Sequence, residues 1–269
     1  MMNLSAYIKE IRKAGQRYFT LEQLMADRGL SKNTALNAIY RLKGHGELIS
    51  PARGLYVIVP PEHQPHGSIP PQELVPLVMQ YLGVHYYVAL LSAGLLHGAT
   101  HQKPARFQVI SDKRIKHPST FGDVEIDYIY KKSVLELPTQ DFTVSTGYLK
   151  VATPELVALD LLEYPNHAGG LNHIATVFSE LVEVLDPIKL INLAKDTSTE
   201  YQLQRIGYIL DHIDVMDEPG AEIIINALAH HVQENKPSYL PLASEISKIG
   251  YSRCKKWRII ENSEIESDL

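Results

Sequence analysis

The stretch from Arg17 to Pro60 constrains the fold more than any other part of the chain. Thr20 is placed to cap a short helix whose apolar positions Leu21, Leu24 and Met25 share one face, and Gly29 supplies the left-handed residue that ends it. Ser31 then caps a second helix. From Lys32 to Lys43 the apolar residues Ala35, Ala38, Ile39 and Leu42 follow the i, i+3, i+4, i+7 rule. The opposite face must therefore present Asn33, Thr34, Asn37, Tyr40 and Arg41. Gly44 and Gly46 stop this helix, and Leu48-Ile49-Ser50 and Leu55 to Val59 read as two short strands joined by Pro51-Ala52-Arg53-Gly54.

Helix, turn, helix and hairpin in that order make a winged helix-turn-helix. A helix about 10 Å wide fits a B-DNA major groove about 12 Å wide, while the hairpin tip lays a cation over the neighbouring backbone. Arg53 is that cation. Amphipathic helix pairs also occur in proteins that never touch nucleic acid, so charge has to help decide. Residues 1–59 hold nine Lys and Arg against four Asp and Glu, a net +5, whereas the whole chain is −5 and the remainder therefore −10. A basic lobe on an acidic chain is the electrostatic footprint of DNA binding, because each neutralised phosphate releases counterions. The expected contacts are Lys32, Asn33, Thr34, Asn37, Tyr40, Arg41, Lys43 and Arg53.

The 269 residues suffice for two domains, and 45% hydrophobic content excludes a disordered or collagenous chain. Cys254 is the single cysteine, so a disulfide framework or cysteine zinc site within the chain is excluded and a reducing cytoplasm is the expected setting. The first residues carry charges every few positions, unlike a signal peptide, and no segment approaches the ~20 apolar residues of a membrane span.

Leu4 to Ala14 reads as a first helix with Leu4, Ile8 and Ile11 on one stripe. Five prolines between Pro60 and Pro71 favour extended geometry, and the domain boundary is placed there: a DNA-binding domain over 1–59, a linker over 60–71 and a larger domain over 72–269. In the larger domain Gln72 to Leu82 reads as a helix and the apolar run Tyr86 to Ala99 as a buried one. Strands follow at Arg106 to Ser111, Val124 to Tyr128, Phe142 to Ser145 and Tyr148 to Ala152. Thr153-Pro154-Glu155 and Asp186-Pro187 are strong helix starts, Gly170 precedes a helix to about Leu185, Ser198 is expected to cap another to His212, and Pro219 opens one to Glu234. A last strand is expected at Trp257 to Ile260. Strands first and helices after indicate an α+β domain ending in a helical bundle.

Other constellations are weaker. His97 and His101 have the spacing of two zinc ligands on a helix, but Gly98 stands where a metalloprotease needs glutamate. His63 and His66 lack a third ligand nearby. Asp123, Glu125 and Asp127 alternate along one strand, which suggests a divalent-metal nuclease as an alternative, although the nearest lysines, Lys131 and Lys132, are out of step. With no phosphate loop or nucleophile elbow, neither an enzyme nor a bound cofactor or metal is expected. Lys255, Lys256 and Arg258 flank the sole tryptophan, Trp257, which reads better as an anchor for the tail than as a phosphate contact.

Several stretches together resemble the AbiEi family, the antitoxin and regulator half of bacterial type IV toxin-antitoxin systems. They are Arg53-Gly54-Leu55-Tyr56, Tyr87 to Ala93 through His97-Gly98, Thr153-Pro154-Glu155 with Leu159-Asp160-Leu161-Leu162, Gly169-Gly170-Leu171, Gln204 to Leu210 and Trp257 to Ile260. They span nearly the whole chain in the family's order. The resemblance implies a repressor that binds inverted repeats upstream of its own operon, an arrangement that suits a dimer on DNA. It also implies a carboxy-terminal domain that counteracts a nucleotidyltransferase-like toxin without needing a stable complex with it. A relative with the regulator role alone would have no toxin partner. The implied DNA surface falls on Lys32, Asn33, Thr34, Asn37, Arg41 and Arg53, and no catalytic residues carry over.

Overall fold

Three aromatic side chains organise the amino-terminal region of the computed structural model, which describes residues 4–100, 102–115, 119–213 and 220–265. Phe19 is fully buried, with the edge of Tyr7 against it at 5.6 Å between ring centroids and the face of Tyr56 stacked on it at 5.5 Å. These rings come from three elements: α1 (Leu4–Lys13), β1 (Tyr18–Thr20) and, beyond α2 (Leu21–Arg28), α3 (Lys32–Gly44) and β2 (Leu48–Ala52), from β3 (Leu55–Ile58). The strands form an antiparallel sheet in the order β1-β3-β2. The apolar stripe of α1, Leu4, Ile8 and Ile11 with Tyr7 added, closes this core against Leu24, Ile39 and Leu42. The winged helix-turn-helix is present, and β1 is an addition to it.

The proline-rich segment is extended at Pro60 and Pro70 but not between them. Pro61–His66 forms a 3-10 helix ended by Gly67, and its carbonyl at His66 accepts a hydrogen bond from the Asp123 amide at 2.9 Å. Gly67 and Gly122 approach so closely that a Cβ on Gly122 would run into the His66 carbonyl oxygen. Backbone pairing with a distant turn, which periodicity cannot register, overrides the extended preference of the prolines.

Next come α4 (Pro71–Leu82), β4 (Tyr86–Val88), α5 (Leu90–Leu96), β5 (Phe107–Ser111), β6 (Ser119–Phe121), β7 (Val124–Tyr130), β8 (Thr139–Val144) and β9 (Gly147–Ala152). Six strands make a mixed sheet in the order β6-β7-β5-β4-β9-β8, with β5 parallel to β7 and β4 parallel to β9. The expected helix over Tyr86 to Ala99 is corrected by β4. Tyr86, Tyr87 and Val88 are all buried, and an uninterrupted apolar run fits a sheet buried on both faces as well as a helix. Leu90, at φ 51°, makes the turn between strand and helix.

The rest is helical: α6 (Pro154–Glu163), α7 (Leu171–Leu181) continued by a 3-10 turn over Val182–Val184, α8 (Pro187–Asp196), α9 (Glu200–His212) and α10 (Ala221–Asn235). Thr153 and Asp186 cap α6 and α8 as their sequences dictate, Asp186 accepting from the amides of Ile188 at 2.9 Å and Lys189 at 3.1 Å. Ser198 does not cap α9; it takes φ 57°, and the helix begins at Glu200 after Thr199. Pro219 lies outside the described residues. A small sheet of β10 (Leu240–Pro241), β11 (Arg253–Cys254) and β12 (Ile259–Ile260), ordered β10-β12-β11, replaces the single strand expected at Trp257 to Ile260.

Trp257 stands just before β12, fully buried, its six-membered ring lying where Gly207 of α9 has no side chain. Its indole N–H donates to Asp211 at 2.8 Å, and Lys256 donates to both oxygens of the same carboxylate. Gln204, a turn earlier on α9, donates to the carbonyls of Ser238, Trp257 and Arg258. The tail is thus keyed to α9 by one ring, one notch and one amide.

The chain forms two compact units, Met1–Tyr87 with Ala105–Glu136 and Asp141–Lys150, and Val88–Pro104 with Leu137–Gln140 and Val151–Leu269. By sequence the first holds sixteen Lys and Arg against twelve Asp and Glu, a net +4, and the second ten against nineteen, a net −9.

Two outcomes are expected. Gly207→Ala forces a Cβ into the indole and should cost about 1–3 kcal/mol in denaturant unfolding. Burial alone would raise the Asp211 pKa, but hydrogen bonds from Lys256 and Trp257 and the Lys256 charge hold it below 3.8. A carboxylate depressed in the folded state stabilises at pH values above 3.8, and that contribution disappears as pH falls through the folded pKa. Asp211→Asn should therefore flatten the acid side of a plot of stability against pH.

Candidate nucleic-acid interface

The α2–α3 turn follows from three residues. The Thr20 hydroxyl accepts from the Gln23 amide at 3.1 Å, Gly29 adopts φ 60° at the end of α2, and Ser31 accepts from the Thr34 amide at 3.3 Å to start α3. From α1 the Tyr7 hydroxyl donates to Asp27 of α2 at 2.9 Å. Burial, then that carboxylate, pushes the Tyr7 pKa well above its ordinary value, so the phenol stays a donor throughout the working range.

With Ala35, Ala38, Ile39 and Leu42 buried, the other side of α3 faces outward. Lys32, Asn33, Thr34, Asn37, Tyr40, Arg41 and Lys43 are all exposed, Tyr40 to 79%. Asn33, Asn37 and Arg41 are four residues apart and form one row along the helix. Tyr40 and Lys43 flank that row. Thr34 differs from its neighbours, because its hydroxyl is 2.9 Å from Ser31 Oγ and serves the cap. Among the described residues, the cations Lys32, Arg41, Lys43 and Arg53 enter no ion pair, whereas Arg28 binds Glu10 and Arg106 binds Glu125.

Arg53 occupies the turn of the hairpin, where only Arg53 and Gly54 separate the paired residues Ala52 and Leu55. Gly54 takes φ 85°, its carbonyl accepts from the Leu21 amide at 2.9 Å, and the Arg53 carbonyl accepts from the Tyr81 hydroxyl at 2.9 Å. Tyr81, on α4, is a contact that sequence reasoning missed. It lies 28 residues from Arg53 in a helix assigned to another domain, and no local signal joins them.

The other constellations are absorbed by the fold. Asp123 sits in the β6–β7 turn beside His66 at 3.2 Å, so the three acids do not share a strand; Glu125 is held by Arg106 at 3.0 Å, and Asp127 also has a partner. The His97 ring nitrogen lies 2.7 Å from the Ala152 carbonyl, and His101 is outside the described residues. Of the carboxy-terminal cluster, Lys256 is paired with Asp211, and Arg258 donates to the Pro237 carbonyl and lies over Tyr239, which is the anchoring arrangement. No helix among the described residues is long and apolar enough to cross a membrane.

Against protein-family models, residues 7–59 match one described as transcriptional regulator, AbiEi antitoxin, and residues 87–212 match the AbiEi antitoxin C-terminal domain. The chain belongs to the AbiEi antitoxin family. Comparison with curated protein sequences gave no match. Among solved structures it is similar in fold to the crystal structure of the RV2827C protein from Mycobacterium tuberculosis, with a TM-score of 0.65 at 16% identity over 95% of this chain and 90% of that one. The regulator match runs from within α1 to just past β3 and so includes every residue of the open α3 face and the wing. This AbiEi chain is an antitoxin-type regulator.

The open face depends on the cap that starts it. Ser31→Ala removes the acceptor for the Thr34 amide and should cost about 1 kcal/mol, measured as a lower unfolding midpoint with the slope unchanged.

Proposed function

We propose that this AbiEi-family chain is a DNA-binding repressor of its own operon and the antitoxin of a type IV toxin-antitoxin pair. The observation that carries the DNA reading is the row of Asn33, Asn37 and Arg41 on the exposed side of α3. Cations without ion pairs among the described residues flank it, on a unit of net +4. In this reading Lys32, Lys43 and Arg53 bind phosphates, setting affinity without choosing sequence, while Asn37 and Arg41 bind base edges. Asparagine offers a donor and an acceptor that match adenine, and arginine a fork that matches guanine. Thr34 contributes through the cap, and Tyr40 offers an apolar face to a thymine methyl group.

The second unit has the opposite sign, net −9, which disfavours it as a phosphate contact and suits it to the antitoxin role. The toxin it counteracts is nucleotidyltransferase-like, as the family resemblance implies, and the antitoxin acts without breaking bonds. The setting is the cytoplasm, in keeping with a lone cysteine, Cys254, held as a free thiol.

Titration of the full chain against the DNA upstream of its own gene tests the regulator half. Arg53→Ala should weaken binding to all sequences and reduce the log–log salt slope by about 0.9. Asn37→Ala should instead narrow the gap between the operator and a scrambled duplex by about 1–3 kcal/mol while leaving the salt slope in place. Operator binding that survives both changes would refute this surface.

A further inference from the structure

A wing made of a two-residue turn has little with which to hold its own shape. Its outer peptides offer two carbonyls, those of Arg53 and Gly54, and both are bound from outside the hairpin. The Leu21 amide takes the second. The first is taken by the phenol of Tyr81, in the last turn of α4, a helix fixed at its far end by the Thr146 hydroxyl donating to the Glu73 carbonyl at 2.8 Å. Gly54 is what admits the phenol, since a Cβ built on it would stand 3.0 Å from the Tyr81 oxygen. Arg53 itself projects into solvent.

We infer that Tyr81 is a positioning residue for the wing, fixing the Arg53 peptide so that the guanidinium is presented to a DNA phosphate. This deepens the DNA-binding reading and rests on it. An arginine on an untethered two-residue turn would have to be ordered when DNA binds, and the loss of that freedom would subtract from affinity. Holding the peptide from a helix places part of that cost in folding instead. Tyr81 touches no DNA in this arrangement; it acts only through Arg53.

The test uses the full chain and a fluorescein-labelled duplex of about 30 base pairs, room for two half-sites one helical turn apart, taken from directly upstream of the gene. Anisotropy titrations run over a salt series centred on about 100 mM. Tyr81→Phe keeps the ring and removes one hydrogen bond, so binding should weaken about 3- to 10-fold. The salt slope should fall as it does for Arg53→Ala, a readout that a merely structural tyrosine would not move. In the Arg53→Ala background Tyr81→Phe should have no further effect, because the two act as one unit. Equal weakening by Tyr81→Phe in both backgrounds, or none in either while Arg53→Ala still weakens binding, overturns the positioning role and leaves the DNA-binding reading intact. Binding that is absent in the unaltered protein, or unaffected by Arg53→Ala, Asn37→Ala and Arg41→Ala alike, removes that reading and the positioning role with it.

Discussion

Phe19 is the side chain on which the amino-terminal unit turns. It lies between the edge of Tyr7 and the face of Tyr56, so one ring ties α1, β1 and β3 into a single core. An edge-on and a stacked partner are the two arrangements that the ring quadrupole favours, and together they fix the rings' relative orientation as well as their burial. The sheet follows from this, because Phe19 pairs with Tyr56 in the β1–β3 register. From the sheet follow both ends of the exposed surface formed by α3 and the wing. Thr20, the next residue, caps α2 and so aims the turn into α3, while the Gly54 carbonyl closes the wing against Leu21.

Charge is distributed as sharply as the core is built. A net of +4 on one unit and −9 on the other means that the chain's overall −5 describes neither part. Few of the acids in the second unit act as helix-core charges. Two that do are Glu155, which accepts the Asp186 amide, and Asp160, fully buried and partnered. Glu183, Glu222 and Glu245 are exposed, and the field of such acids repels a phosphate backbone and attracts cationic surfaces within roughly a Debye length of 10 Å.

What was legible in the sequence were features whose cause is local. Ser31, Thr153 and Asp186 cap the helices that they precede, and the i, i+3, i+4 pattern of Ala35, Ala38, Ile39 and Leu42 identified the buried side of α3. What was not legible came from partners far along the chain. Tyr86 to Val88 form a strand in a sheet where Val88 pairs with Val151 of β9, and Pro61 and Pro65 fall in a 3-10 helix whose last carbonyl meets the β6–β7 turn. Asp123 leaves the acidic row for the same reason. Trp257 is half an exception. Its apolar bulk announced an anchor, but that it would lie against Gly207, fifty residues earlier, has no signature beyond a glycine in the middle of a good helix.

The 3-10 turn and α4 bear on what the wing can be. A hairpin with a long tip reaches DNA by flexing; this one has two residues at its tip, with the next elements of the chain folded back beside it so that Tyr81 meets its carbonyl. The Tyr56 phenol shares this neighbourhood, its pKa raised by burial first and then by Glu22 and Tyr81. The hairpin tip is thus hydrogen-bonded to α4, and the segment that the composition marks as a linker is the 3-10 helix and the start of α4 that lead to Tyr81. A winged helix cut from this chain at Pro60 would keep its Phe19 core and its open α3 face, yet it would lose the support of the one cation it carries on the hairpin.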